Sequence, residues 1–296
     1  MNRTNIDDYS IESLIDEEKP KKRPLRKLFF YIILIIIITI IYSRYVGTSG
    51  LFIKEYSIES NKITEKFNGF KIAHFSDFHF GRTTSTSELK QLVDEINLTK
   101  PDIVIFTGDF IDKDVKITDK ELSYIIDELS KINSTYGNYY VNGNHDLKYD
   151  KFYQMFESAN FINLNNTYDV VYNTNNEAIL LSGLSTNKDT VFLEEALKDD
   201  NYIYKINIMH YPDYISDIKK YNFDLVLAGH SHNGQVRIPF YGAIYTPNYA
   251  KKYYKEYYKV DNTDFYISSG IGTSMYNFRL FNRPSFNLYR LRKVNQ

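Results

Sequence analysis

Cysteine is absent from all 296 residues. Disulfides, thiolate-held zinc and cysteine nucleophiles are therefore excluded, and an oxidising compartment is compatible with the chain. An excess of either charge is missing too: 36 Lys and Arg stand against 37 Asp and Glu. A nucleic-acid binder would carry a basic stripe, so no nucleic-acid partner is expected. The sequence has no solenoid repeat and no oligomerisation heptads, and it reads as a monomer. The length suits one catalytic domain of ordinary size, or two small ones. Histidine is scarce, yet two of the six fall within one short stretch, "GHSHNGQ" at 229–235.

Charge is also missing from residues 28–43, "LFFYIILIIIITIIYS". Sixteen uncharged residues are somewhat short of the ~20 that cross a bilayer core as a helix. The next segment, "YVGTSGLFI", is uncharged as well, and Arg44 can snorkel to the boundary. A buried core helix would show a polar face, and this stretch is apolar all round. No small-x-small cleavage site follows it, so an uncleaved anchor is expected over 28–46. Residues 1–27 are polar and aperiodic, and a disordered tail is expected there. Lys19, Lys21, Lys22, Arg23, Arg26 and Lys27 precede the span. They place the N-terminus in the cytoplasm and the rest of the chain outside. "GTSG" at 47–50 reads as a flexible joint, opening a linker and first-strand region over 47–69. The catalytic domain is expected over 70–296.

Within that domain, "FKIAHFS" (70–76) and "DIVIFTGD" (102–109) are apolar enough for buried strands. Between them Leu89, Leu92, Val93 and Ile96 fall on one face of a helix that Pro101 stops. Thr118-x-x-Glu121 is a capping box for a second helix with a stripe of Leu122, Ile125, Ile126 and Leu129. "YYVNGNHD" is a third strand-to-loop junction. Strand then helix, repeated, argues parallel βαβ units. Beyond residue 165 the runs "YDVVY", "AILLSGL", "INIMH", "DLVLAGH", "QVRIP", "FYISSG" and "FNLYRL" are strand-like, with one helix near 191–198. The sum is a single α/β domain with two sheets.

Polar clusters follow five of these runs. They are "SDFH" (Asp77, His79), "TGDF" (Asp109), "GNHD" (Asn144, His145, Asp146), "MHYP" (His210) and "GHSH" (His230, His232). Ligands of open α/β sheets bind beyond the carboxyl ends of strands, so the five clusters are expected to converge. Nitrogen and oxygen donors without thiolate suit Mn, Fe or Zn better than Ca or Mg. The donors are too many for one ion. Two metals ~3.5–4 Å apart, sharing one carboxylate, are the natural solution. Such a pair lowers the pKa of a bridging water and clamps the oxygens of a displacement at phosphorus. In "GHSH", side chains two apart on an extended segment point the same way, so each histidine can serve one ion.

In this order the motifs Asp77-x-His79, Gly108-Asp109, Gly143-Asn144-His145-Asp146, His210 and Gly229-His230-x-His232 resemble the calcineurin-like metallophosphoesterase superfamily. The spacings agree: 32 residues from Asp77 to Asp109, 35 on to Asn144, and 20 from His210 to His230. The similarity runs over about 55–295 and includes "GHSHNGQVRIP" and "SSGIGTS…FRLFNRPSFNLYRL". It looks closest to the bacterial membrane-anchored phosphodiesterase branch related to the UDP-2,3-diacylglucosamine pyrophosphatases. The resemblance implies two mixed β-sheets packed as a sandwich and flanked by helices, a four-layer α/β/β/α fold. It implies two divalent metal ions, with Asp77, His79 and His232 on the first, Asn144, His210 and His230 on the second, and Asp109 bridging. His145 would protonate the leaving oxygen and Asp146 would orient it.

The expected activity is hydrolysis of a phosphodiester or pyrophosphate by a metal-bridging hydroxide, on a lipid or envelope glycan substrate. One rival is a non-catalytic envelope protein that keeps the fold to bind a ligand or partner. An inactive relative usually loses the bridging carboxylate or the histidine of "GNHD", and both are present. The rival enzyme is a phosphomonoesterase or protein phosphatase, and an external domain argues against the latter. His74 precedes its cluster and reads as a packed residue. Asp112 reads as a turn or helix-cap carboxylate, and Asp213 as a helix cap.

Overall fold

The computed structural model describes residues 23–198 and 201–294. Most of the tail expected over 1–27 lies outside the described residues; Pro24–Lys27 already belong to the first helix, α1 (Arg23–Ile41). The chain divides into two compact units between Ile41 and Tyr42. In the first, α1 carries no charge from Leu28 onward, and its large apolar side chains are exposed. Together with the π-turn that continues it, Pro24–Val46 spans 23 residues and is long and apolar enough to cross a bilayer.

The second unit opens with β1 (Phe52–Ser60), followed by β2 (Lys71–Phe75), α2 (Thr86–Thr99), β3 (Ile103–Phe106), α3 (Asp119–Leu129), β4 (Asn138–Tyr140), α4 (Phe152–Ser158) and β5 (Phe161–Asn163). Then come β6 (Thr167–Tyr172), β7 (Ala178–Leu184), α5 (Val191–Ala196), β8 (Tyr202–Met209), α6 (Ile215–Ile218) and β9 (Leu225–Ala228). A small hairpin of β10 (Arg237–Ile238) and β11 (Gly242–Ala243) precedes β12 (Tyr257–Val260), β13 (Thr263–Ile267) and β14 (Ser285–Lys293). One six-stranded sheet has the order β1-β14-β2-β3-β4-β5 and the other β12-β13-β9-β8-β7-β6. Both are mixed around a parallel centre: β2, β3 and β4 run together, and so do β7, β8 and β9.

Strand alternation explains the layering. Ile72, Ile103 and Ile105 of the first sheet meet Ile179, Leu181, Ile206 and Leu227 of the second in one buried cluster. Ala73, Phe75, Val104 and Phe106 point the other way, onto Leu89, Leu92 and Ile125 of α2 and α3. The outer face of the second sheet, with Leu180, Met209 and Val226, is covered by Leu193 of α5 and Ile215 and Ile218 of α6. The result is a sandwich flanked by helices on both sides, four layers deep. Because the central strands are buried on both faces, they read in the sequence as unbroken apolar runs. Phe156 shows the density of the helix side: its ring lies 4.8 Å from Phe106, 5.0 Å from Tyr140 and 5.2 Å from Phe161. Full burial of such a side chain contributes on the order of 1.5–3 kcal/mol.

The expected capping box forms. Thr118 Oγ1 accepts from Glu121 N at 3.2 Å, and Glu121 Oε2 accepts from Thr118 N at 2.9 Å. A second box joins Ser85 and Glu88 at the start of α2. The first strand expected within 47–69 forms as β1, an edge strand paired in parallel with β14. Two expectations need correction. "GTSG" is not a free joint: Gly47 N donates to Tyr42 O at 2.7 Å, and a Cβ on Gly47 would collide with Arg279 O. "QVRIP" yields only the two residues of β10 and joins neither large sheet, because Pro239 and the turn behind it end the strand.

Candidate metal centre

The parallel strands β2, β3 and β4 of one sheet, and β8 and β9 of the other, end at one edge of the sandwich. Asp77 and His79 follow β2, Asp109 follows β3, and Asn144 and His145 follow β4. His210 follows β8, and His230 and His232 follow β9. Two sets of donors result. Asp77, His79 and His232 offer atoms within 4.8 Å of one another, and so do Asp109, His210 and His230. In the first set, His79 Nε2 lies 3.1 Å from His232 Nε2, and His232 Nε2 lies 3.5 Å from Asp77 Oδ1. In the second, His210 Nε2 lies 3.1 Å from His230 Nδ1, 3.3 Å from Asn144 Oδ1 and 3.4 Å from Asp109 Oδ2. All seven expected donors are thus gathered at one place.

Asp109 joins the sets. Its Oδ2 also lies 3.9 Å from His79 Nε2 and 3.9 Å from His145 Nε2. Its Oδ1 accepts from His145 N at 2.8 Å. His210 donates from Nδ1 to Thr107 O at 2.7 Å, which turns its Nε2 toward Asp109.

Asp146 does something other than orient His145. Its oxygens accept from Asp109 N at 2.7 Å, Phe110 N at 2.8 Å and Gly143 N at 2.8 Å. It therefore ties the loop after β3 to the loop after β4. His145 is held from another side: its Nδ1 accepts from Lys113 N at 3.2 Å and lies 3.9 Å from Asp112 Oδ2. His79 Nδ1 lies 3.5 Å from the same oxygen. Both rings thus turn Nε2 to Asp109 and Nδ1 to Asp112. One imidazole cannot bring both nitrogens to one ion, so Asp112 stands behind the donors as an orienting carboxylate.

Asp112 does sit in a turn, accepting from Asp114 N at 3.3 Å, yet it is buried and 3.5 Å from Arg82 Nη1. Sequence reasoning missed this second duty, because nothing local marks it. It missed Arg279 as well. That side chain is wholly buried, donates to Gly270 O at 3.0 Å and Gly272 O at 2.5 Å, and places Nη2 3.4 Å from His232 Nδ1. His74 is packed as expected, with Nε2 2.8 Å from Thr107 Oγ1. Asp213 caps no helix of its own; it accepts from Lys251 N and Tyr253 N at 2.9 Å and fixes the loop before β12.

The "GHSH" segment is not extended. His230 and His232 have φ of 68° and 48°, in the left-handed region. Ser231 between them is helical in φ and ψ. The two rings reach the centre because the backbone coils, not because alternate side chains share a face. Asp77, His79 and Asp109 are left-handed too, with φ of 51°, 50° and 61°. Gly143 and Gly229 are required for a different reason: a Cβ on either would collide with Asp109 or with Ser76 and Asp77.

The electrostatics suit a cation. Burial pushes Asp109 up, but the His210, His145 and His79 rings outweigh it and hold the carboxyl well below its usual range. His210 is raised to about 9 against its burial, by Asp109 above all. Burial drives His230 down to about 3, His145 to about 4, and His232 well below the usual histidine value. Neutral imidazoles and ionised carboxylates ligate metal; His230, His232 and Asp109 already hold those states, while His210, paired with Asp109, would give up its proton to a bound ion. The donor set therefore fits divalent metal ions. Replacing Asp112 by Ala frees the Nδ1 side of His79, so Mn²⁺ affinity should fall about 10–100-fold. Metal titration of the purified full chain reads this directly, and an unchanged affinity would remove Asp112 from the centre.

Comparison with known proteins agrees with this geometry. A sequence model of the family described as calcineurin-like phosphoesterase matches residues 70–234. The chain is 30% identical over 261 residues to YkuE of Bacillus subtilis, an uncharacterized metallophosphoesterase, covering 86% of this chain and 90% of that one. It is 27% identical over 269 residues to a second such B. subtilis protein, YkoQ, with 86% and 95% covered. It is also similar to the phosphodiesterase YaeI of Escherichia coli, 25% identical over 227 residues, with 75% and 82% covered. With the donors in place and more than half of its length matched, the chain belongs to the calcineurin-like phosphoesterases and is a metal-dependent phosphoester hydrolase.

Proposed function

We propose that the chain cleaves phosphodiester or pyrophosphate bonds with a pair of divalent cations, and that its substrate belongs to the membrane or cell envelope. The observation that carries the dinuclear reading is the place of Asp109 Oδ2, between the two donor sets. Asp77, His79 and His232 would hold one ion, and Asn144, His210 and His230 the other, with Asp109 shared. Imidazole, carboxylate and amide donors favour Mn, Fe or Zn. Bound there, the pair supplies an acidified water and neutralises charge on the phosphoryl oxygens.

His145 holds the remaining role. Because its Nδ1 accepts the Lys113 N–H, the neutral ring carries its proton on Nε2, the nitrogen facing Asp109. From there it can donate to a leaving oxygen. Kinship with the membrane-anchored phosphodiesterase branch, related to the UDP-2,3-diacylglucosamine pyrophosphatases, is supported by the apolar span Pro24–Val46 and by the likeness to a phosphodiesterase. The six basic residues before the uncharged stretch that starts at Leu28 argue for a cytoplasmic N-terminus and an external catalytic unit.

The full chain in detergent should hydrolyse an aryl phosphodiester with Mn²⁺ and lose activity in chelator, and Asp109→Ala should abolish turnover. Full activity in a rigorously metal-free preparation would end the proposal. His145→Ala should keep its metal yet lose roughly 10²–10⁴ in kcat, with a smaller loss for leaving groups of low pKa. An equal loss across leaving groups would make His145 a positioning residue instead of the acid. Protease added outside cells stripped of their outer barrier should digest the unit beyond residue 42. Its protection would reverse the orientation.

A further inference from the structure

We propose that the β10–β11 hairpin and the segment 275–281 form one apolar surface that seats in the lipid headgroup layer. The proposal rests on the reading that Pro24–Val46 is a membrane span, and it adds a second, separate contact with that membrane.

The surface is unusual for residues in water. Phe240 at the hairpin tip is completely exposed, Tyr241 is 76% exposed, Tyr276 70% and Phe281 68%, with Ile238 and Met275 also exposed. Single exposed apolar residues need no explanation, but a contiguous set marks an interaction site. These residues are gathered by hydrogen bonds. Arg237 N donates to Leu280 O at 3.0 Å, and Leu280 N to Gln235 O at 3.2 Å, which sets Phe281 beside the hairpin. Gln235 Nε2 donates to Tyr276 O at 2.9 Å and fixes the Met275–Tyr276 turn to the same base. Phe240, Tyr241 and Phe281 line one shallow concavity together with Arg237 and Lys255.

The occupant follows from where this surface sits on the chain's own path. The span ends in the π-turn Tyr42–Val46, and Arg279 N donates to Ser43 O at 2.9 Å. Gly47 packs on the Arg279 carbonyl. The end of the span is thus bonded to the residue next to Leu280 and two before Phe281. A surface attached there cannot leave the bilayer's vicinity while the span is in it. Its composition matches that place: aromatic rings favour the headgroup level, and cations such as Arg237 and Lys255 are drawn to anionic lipid.

Segment 275–281 and residues flanking the two segments touch the metal centre. Asn282 Nδ2 donates to His232 O, Arg279 faces His232 Nδ1, and Asn248 O lies 2.7 Å from His230 Nε2. Seating the surface in the headgroup layer would bring a membrane-held phosphoester to the rim of the site.

The chain lacks cysteine, so single thiols can be placed at will. Phe240→Cys, Phe281→Cys and, as control, Val191→Cys on α5 would each be labelled with an environment-sensitive fluorophore. The full chain would sit in nanodiscs of phosphatidylcholine and phosphatidylglycerol. Hydrolysis of a soluble aryl phosphodiester would confirm that each labelled protein is folded. Labels at 240 and 281 should lose most of their emission to a quencher carried on the acyl chains and resist aqueous iodide, with the reverse at 191. Iodide quenching at 240 and 281 equal to that at 191 would overturn the proposal. Protection of both from either quencher would overturn it too, because protein would then cover the surface. Quenching by lipid in a protein that leaves every phospholipid uncleaved would uphold the surface and count only against a phospholipid substrate.

Discussion

The carboxylate of Asp109 is what the rest of the centre is arranged around. A buried carboxylate without partners would be neutral or strongly destabilising. This one is held ionised by the imidazoles that face it. Its Oδ1 fixes the backbone of His145, its Oδ2 faces three imidazoles from both sheets, and its own N–H is held by Asp146. Asp146 in turn binds Phe110 N and Gly143 N. The loops after β3 and β4 are therefore one rigid piece. Gly108 and Gly143 allow it, since their backbones pass so closely that a Cβ on Gly108 would strike Gly143.

The sandwich supplies the second half of the centre. Neighbouring parallel strands necessarily end on the same edge of a sheet. With β2, β3 and β4 in one sheet and β8 and β9 in the other, five clusters spread from residue 77 to residue 232 meet across the gap between two layers. The His79–His232 and His210–Asn144 contacts are both made across that gap. Sheet-on-sheet burial of Ile105, Leu181, Ile208 and Leu227 sets its width. Core packing and ligand geometry are thus the same constraint, and a packing change at this interface would be felt at the donors.

This division also decides what could be read from the sequence. Strands buried on both faces give unbroken apolar runs, and polar residues directly behind such runs in a parallel sheet must lie at one edge. The meeting of the seven expected donors at one edge was legible for that reason, as was the Thr118 capping box, which is a purely local pattern. The left-handed φ of His230 and His232 was not, because side-chain periodicity presumes a regular backbone, and a loop after a strand has none. Asp112 and Arg279 act on rings 33 and 47 residues away in the chain, and no spacing rule covers such a pair. The pairing of β1 with β14 joins the two ends of the second unit. Nothing in "FIKEYSIES" names its partner, only that an amphipathic strand needs one.

The left-handed backbone at Asp77, His79, Asp109, His230 and His232 shows where the order of the site comes from. Each such residue costs on the order of 1 kcal/mol or more relative to an ordinary conformation. Five together are comparable with the whole net stability of a typical domain, about 5–15 kcal/mol. They persist because the fold holds them: Asp77 N donates to Gly108 O at 2.9 Å, His79 N to Asp109 O at 3.1 Å, and His230 N to both oxygens of Asp77 at 3.0 Å. Each bond runs from one ligand loop to another. The three apolar layers offset the strain, and the loop-to-loop bonds distribute it. The chain's own bonds therefore set the positions of these residues, and the three apolar layers hold the chain together.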